Sequence, residues 1–323
     1  MDTGMIGLLK TCSGSEDIRK TILKEPEGIM KIVRDLGGSQ KAYRKERAKA
    51  MKGIVSEIYS PPRVTRAIKM MPSSDVIAGF ALDLTTTDVD GRAWNFDEKE
   101  MRDRARKKFH AEEPMFLIGS PSCQHCSSLQ ALSAARRDPE EVRRELVKAQ
   151  VHMEFVTELY REQVMAGRYF LHEHPLCATS WKLDCILDVM AMQGVDSEWC
   201  DQCQYGQDGG TASPVKKPTR WMSNSPETLN MLKNKCRGTA ERCSRPGGGK
   251  HASCTGKTAR AAAIYPMKLC KAILQGCRAQ LREDGRVFVG LVGIGPREVD
   301  SWSDKKLELK TEKLLNIQVN KTE

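Results

Sequence analysis

At 323 residues, with 40% apolar and 29% charged side chains, the chain has a globular composition and enough length to bury a sizeable core as one large domain or two. No stretch reaches the roughly 18 apolar residues of a membrane helix, and the N-terminus MDTGMIGLLKTCSGSEDIRK lacks a signal peptide's layout, so an unsecreted protein of the nucleus or cytoplasm is expected. Lys and Arg number 52 against 42 Asp and Glu, a net charge of +10, which favours a polyanionic partner, nucleic acid first.

Residues 1–52 are charged and helix-prone and end in GGSQKAYRKERAKAMKG, a basic lead that reads either as a flexible segment or as a nucleic-acid arm. A folded domain is expected over 53–295. GIVSEIY (53–59) has the pattern of a strand, SPPR that of a turn and VTRAIKMM that of a short helix; VIAGFALDL (76–84) is a second strand, closing on Asp83. A polar stretch separates it from PMFLIGS (114–120), a third buried strand. An amphipathic helix is expected over about 139–167, started by Asp138-Pro139-Glu140-Glu141 and stopped by Gly167.

YFLHEHP (169–175) is again strand-like, followed by a helix from Ser180 to Met192. DSEWCDQCQYG and KPTRWMSN are short strands around a Gly-rich loop, and SPETLNMLKNK is a helix with a Ser cap. Residues 236–258 form a Cys- and Gly-rich irregular insertion; a helix over about 264–282 and a strand pair in RVFVGLVGI follow. The tail 296–323 alternates Lys and Glu and reads as linker. Strand, helix and loop alternate throughout, which specifies an α/β sheet with helices on both faces.

Twelve cysteines in an unsecreted chain imply reduced core residues and a few candidates for metal or chemistry. LIGSPSCQHCSSL (117–129) holds one C-x2-C pair, Cys123 and Cys126, and Cys200 with Cys203 forms another. The first reads as a redox dithiol, as half of a four-Cys zinc site with the second, or as a nucleophile, Cys123, lifted by the Gly-Ser-Pro-Ser turn to the carboxyl edge of the sheet. A separate metal candidate is CRGTAERCSRPGGGKHASC, where Cys236, Cys243, His251 and Cys254 offer three thiolates and an imidazole for a structural zinc, against the plain reading of unligated loop residues.

In LIGSPSCQHCS, Gly119, Pro121, Cys123, Gln124 and Ser127 match the catalytic motif Gly-Gly-Pro-Pro-Cys-Gln-x-Phe-Ser of the cytosine-C5 DNA methyltransferases; Ser122 stands in place of a proline and Cys126 in place of the aromatic. YFLHEHP resembles that family's Glu-Asn-Val motif through Glu173. EIYSPPRVTRA occupies the place of the first cofactor-binding turn but carries two prolines and no glycine, and YGQDGGTASPVKKPTRWMSN resembles a worn Gln-x-Arg-x-Arg region. The resemblance covers roughly 54–280, and the motif order is similar to a divergent branch found in retroelement-associated reading frames.

The resemblance implies a Rossmann-like S-adenosylmethionine-dependent methyltransferase sheet acting on DNA, with RNA as the other polyanion. It implies Cys123 as the nucleophile that adds to C6 of a flipped cytosine, Glu173 as the group on the N3 and amino edge, and Arg220, with Lys217, as support for Glu173 or a phosphate contact. Ser60, Pro61, Asp83, Asp97 and Pro121 take the cofactor positions, with Asp88 and Asp90 competing with Asp97 for the adenine. The alternative is a methyltransferase-like nucleic-acid-binding module of a retroelement polyprotein without activity.

Overall fold

Four apolar runs become the parallel part of one sheet: β1 (Gly53–Ile58), β2 (Val76–Leu82), β3 (Phe116–Gly119) and β4 (Tyr169–Pro175). The structure, a computed structural model, describes residue 37 and residues 53–70, 75–123, 136–239 and 241–286. The chain divides into Met1–Val287 and Phe288–Glu323, and every described residue belongs to the first unit. The RVFVGLVGI strand pair beyond Arg286, the linker tail, the segment after Cys123 and nearly all of the basic lead therefore lie outside the described residues.

Two further strands, β5 (Asp196–Asp201) and β6 (Pro218–Ser223), complete a six-stranded mixed sheet of order β2-β1-β3-β4-β6-β5. β6 runs antiparallel to both of its neighbours. The central strands β1, β3 and β4 are covered on both faces, which is why they read as continuous apolar runs rather than as alternating ones.

One face is covered by α1 (Val64–Met70), α5 (Pro226–Met231) and α7 (Met267–Glu283), whose Val64, Leu229, Leu269 and Ile273 share a core with Val55, Ile118, Leu171 and Trp221 of the sheet. The other is covered by α2 (Lys99–Glu112), α3 (Pro139–Met165) and α4 (Asp184–Met190); there Met101, Phe109, Val156, Leu159 and Ile186 pack on Phe80, Leu117 and Phe170. A six-residue helix, α6 (Gly256–Ala261), precedes α7. The expected α/β class with helices on both faces is the observed one. Among the described residues no helix is long and apolar enough to cross a membrane.

Local signals explain most boundaries. Asp138 caps α3 by accepting from the Glu140 amide at 3.1 Å, and Gly167 leaves the helix with φ 65°. Ser225 accepts from the Thr228 amide to start α5. The expected helix over 180–192 is instead a 3-10 turn, Thr179–Lys182, and α4, divided by an extended Leu183. α2 falls in the stretch read as polar: KEMRDRARKKFHAE carries only Met101, Ala105 and Phe109 as its buried stripe.

The chain runs from β1 to β2 on one side and then crosses to β3 on the other, and β1 pairs with both. That reversal opens a crevice at the carboxyl ends of β1 and β3, the position where open α/β sheets hold their ligands. At its floor Gly119 lies against Tyr160, so closely that a Cβ on residue 119 would collide with the tyrosine hydroxyl. Tyr160 is fully buried and bonded to His172 at 3.1 Å, so it has nowhere to move. Gly119→Ala is therefore expected to lower stability by about 1–3 kcal/mol, the usual cost of overpacking a well-filled core. Thermal unfolding checks this, and an unchanged melting temperature would contradict the packing described.

Candidate active-site cleft and metal centre

The crevice is shaped first by Glu57, a fully buried carboxylate at the end of β1. It accepts from the amides of Arg63 (3.1 Å), Val64 (3.2 Å) and Thr65 (2.8 Å), from the Thr65 hydroxyl at 2.6 Å and from the Ser60 hydroxyl at 3.0 Å. The first turn of α1 thus has its orphan amides satisfied by a side chain of the preceding strand, and the charge sits at the positive end of the helix. Ser60 is buried by this arrangement, with its hydroxyl shared between Glu57 and the Pro61 carbonyl. The amides a phosphate or carboxylate ligand would ordinarily take at such a turn are already engaged.

Next to this turn, a cavity of about 390 Å³ is lined by Tyr59, Asp83, Trp94, Phe96, Asp97, Ser120, Ser122, Lys148 and His152, among others. Its volume is that of a small-molecule site. Tyr59 follows β1 with φ 57°, a left-handed conformation uncommon outside glycine, and its ring lies 4.6 Å from Phe96. Asp83, just past β2, accepts from the Thr85 amide and hydroxyl through Oδ1. Asp97 Oδ1 meets His152 Nε2 at 3.0 Å, and His152 Nδ1 meets the Tyr59 hydroxyl at 2.9 Å. Burial pushes the His152 pKa down, which favours a neutral ring that donates to Asp97 and accepts from Tyr59. The rival acids Asp88 and Asp90 are instead paired with Arg104, at 3.0 and 2.5 Å.

The turn after β3 forms one wall of this cavity and touches a second group of side chains. The Ser120 hydroxyl meets the Tyr265 hydroxyl at 2.5 Å, and the Pro121 carbonyl accepts from His174 Nε2 at 2.9 Å. Cys123 follows, half-buried. Glu173, on β4, is 6% exposed and faces Lys217 Nζ at 3.5 Å. Arg220 is not its partner: the β4–β6 register pairs Glu173 with Trp221 and His174 with Arg220, which puts Arg220 on the opposite face of the sheet. There its guanidinium lies over Trp181 at 4.7 Å and donates to Ser197. Lys217 holds the position that was expected of Arg220.

Two groups stand out among the described cysteines. Cys200, Cys270 and Cys277 are buried, and burial pushes each thiol up to about 12, so they are inert packing residues. Cys203, Cys236, Cys243 and His251 instead converge, with one ligand atom of each within 4.8 Å of all the others. Cys236 Sγ lies 3.9 Å from Cys243 Sγ and 3.6 Å from His251 Nε2. A tetrahedral zinc with Zn–S of about 2.3 Å and Zn–N of about 2.05 Å would have edges of about 3.8 and 3.6 Å.

His251 Nδ1 donates to the Thr239 carbonyl at 2.9 Å, which leaves Nε2 as the ligating nitrogen. Burial opposes ionisation of Cys236, but Ser244's hydroxyl and amide, the Gly238 amide and Cys243 together bring its thiol down to about 6. Three of the four expected ligands are thus together. The fourth is Cys203 rather than Cys254, because the 3-10 turn Gln202–Tyr205 after β5 delivers Cys203 to the insertion. Cys254 stands outside the cluster; burial pushes its thiol up, with Lys217 opposing.

Comparison with known proteins returned nothing: no protein-family model, no curated protein and no solved structure matches the chain.

Beneath Glu173, His172 and His174 are fully buried and stacked with centroids 5.2 Å apart. Burial holds the His172 pKa well below its ordinary value, and its Nε2 has no hydrogen-bond partner. The unfolded chain therefore binds a proton at His172 near pH 6.5 that the folded chain refuses, so its stabilising contribution is present above that pH and is lost as pH falls below it. The melting temperature is expected to fall between about pH 7.5 and 5.5, and less steeply in His172→Phe. Identical slopes in the two proteins would contradict the assignment.

Proposed function

We propose that the chain is a divergent S-adenosylmethionine-dependent methyltransferase acting on C5 of cytosine in DNA, built on a Rossmann-like sheet. The observation that supports this most is the Ser120–Cys123 turn. One side of it lines the 390 Å³ cavity at the carboxyl edge of the sheet, and the other touches Tyr265 and His174 beside Glu173. A turn so placed has room for a methyl donor on one side and a base on the other.

The cavity fits an adenosyl ligand in kind. Tyr59, Trp94 and Phe96 offer aromatic surface, Asp83 offers a carboxylate to ribose hydroxyls, and Asp97 is the candidate for the adenine edge. When bound, that cofactor supplies an electrophilic methyl group. The chain's own residues do the rest. The Cys123 thiolate adds to C6 of a cytosine flipped out of the duplex, forming an S–C6 bond that makes C5 nucleophilic. Glu173, steadied by Lys217, hydrogen-bonds the N3 and amino edge and stabilises the charge that develops there. Once C5 carries the methyl, its proton leaves and the thiolate is expelled.

A second reading, nucleic-acid binding without transfer, is favoured by Glu57. Its occupation of the α1 amides removes the usual seat for the anionic end of a ligand. A duplex carrying 5-fluorocytosine separates the two. A covalent adduct is expected with the native protein and S-adenosylmethionine, and none with Cys123→Ser. Tight duplex binding with neither adduct nor methyl transfer would support the second reading against the first.

For the Cys3His cluster we propose structural zinc, supported by the convergence of four donor atoms within 4.8 Å, by the two edges at Cys236 that suit tetrahedral geometry and by the second-layer hydrogen bond on His251. Elemental analysis should find one zinc per chain, retained in Cys254→Ser and lost in Cys203→Ser and His251→Ala. Retention in Cys203→Ser together with loss in Cys254→Ser would contradict the ligand set.

A further inference from the structure

The metal cluster organises more than itself. Each of its ligands in the 236–251 loop has a cation beside it in sequence: Arg237 after Cys236, Arg242 and Arg245 around Cys243, and Lys250 before His251. Fixing the ligand Cα atoms therefore fixes the roots of four basic side chains within a segment whose described residues form no strand or helix to do so. Around it run Lys233, Lys235, Lys257 and Arg260, while Glu241 is the sole acid from 233 to 260 and is engaged by Lys250 at 3.0 Å. Much of the chain's positive excess is concentrated in these residues.

The three arginines also share a shape. A concavity of about 500 Å³ is lined by Arg237, Arg242 and Arg245 together with Ser244, Gly238 and Gly248. Arg237 and Arg242 are exposed, and Arg245 is half-buried with its guanidinium 3.4 Å from the Gln207 carbonyl. No carboxylate pairs with any of the three among the described residues, whereas Arg92, Arg104, Arg106 and Arg137 all sit in ion pairs. Three unneutralised guanidinium groups converging on one concavity create a local positive potential, and their planar forks match phosphate oxygens in pairs.

We propose that the metal-stapled loop 236–251 is a phosphate clamp that grips the backbone of the DNA duplex, with Arg237, Arg242 and Arg245 as its contacts. The proposal rests on the zinc reading above for its rigidity but not on methyl transfer. It assigns to the loop the sequence-independent part of binding, which comes from phosphate neutralisation and counter-ion release. The metal contributes by pre-ordering side chains that would otherwise lose freedom on binding.

The test uses the full chain, a labelled duplex DNA and fluorescence anisotropy at salt concentrations from about 50 to 200 mM, with zinc measured in each sample. The variants are Arg237→Gln/Arg242→Gln/Arg245→Gln and an equal-charge control on or next to α3, Arg136→Gln/Arg143→Gln/Arg144→Gln. The clamp variant is expected to keep its zinc, to bind at least about tenfold more weakly and to lose about two to three from the salt-dependence slope, roughly one for each phosphate contact. The control should change far less. Removing zinc with a chelator should weaken the native protein about as much with every arginine still in place, and zinc re-addition should restore it.

A clamp variant that binds like the native protein, or no worse than the control, would overturn the proposal, as would a native protein that does not bind the duplex. Weakening by the arginine changes in a protein that carries no zinc would keep the clamp and overturn the metal's part in it. None of these outcomes depends on adduct formation through Cys123.

Discussion

The buried carboxylate of Glu57 is the constraint on which the crevice depends. An uncompensated charge in that position would be strongly unfavourable, but three amides and two hydroxyls of the 60–65 turn surround it. The turn and the first residues of α1 are thereby bound to the end of β1. With them are set the left-handed Tyr59, the cavity wall and the spacing to the Ser120–Cys123 turn across the switch point. The same interaction closes the helix terminus to outside anions. A ligand in the crevice is then without the amides of residues 63–65, and the lining offers it aromatic and acidic side chains.

The crevice and the metal centre lie in the same unit and are linked through β6. Lys217, just before that strand, faces Glu173 and also influences Cys254. Cys203, two residues after β5, lies in the Cys3His cluster with Cys236, Cys243 and His251 of the insertion, and Asp201 at the end of β5 accepts from the Cys236 amide at 2.7 Å. A Gly-rich segment without a core of its own is thus joined to the edge of the sheet by a ligand cluster and a buried hydrogen bond. A metal bound there, as proposed, would order such a segment through cross-links rather than through burial.

The strands were legible because β1, β3 and β4 are buried on both faces and so read as unbroken apolar runs, and α3 because Asp138-Pro139-Glu140 is a complete start signal. What was not legible had a physical reason in each case. α2 buries three residues in a stripe one residue wide, so its charge density hid its periodicity. Sequence proximity points to Cys254 as the fourth member of the cluster, whereas the fold brings Cys203 from a turn more than thirty residues before Cys236. Of the two roles expected of Arg220, support of Glu173 or a phosphate contact, the first depends on a strand register that motif order does not contain, and the period-two alternation sends Arg220 to the other face. Glu57 gave no sign at all, because only the return of the 60–65 turn shows what its carboxylate holds.

The proposed function requires the aromatic and acidic cavity at the carboxyl ends of β1 to β3 to hold a cofactor. Isothermal calorimetry with S-adenosylmethionine and the full chain tests it most directly. One-to-one binding is expected, weakened at least about tenfold in Asp83→Ala by loss of a charge-assisted hydrogen bond. No heat of binding with the native protein, or equal affinity in Asp83→Ala, would contradict it.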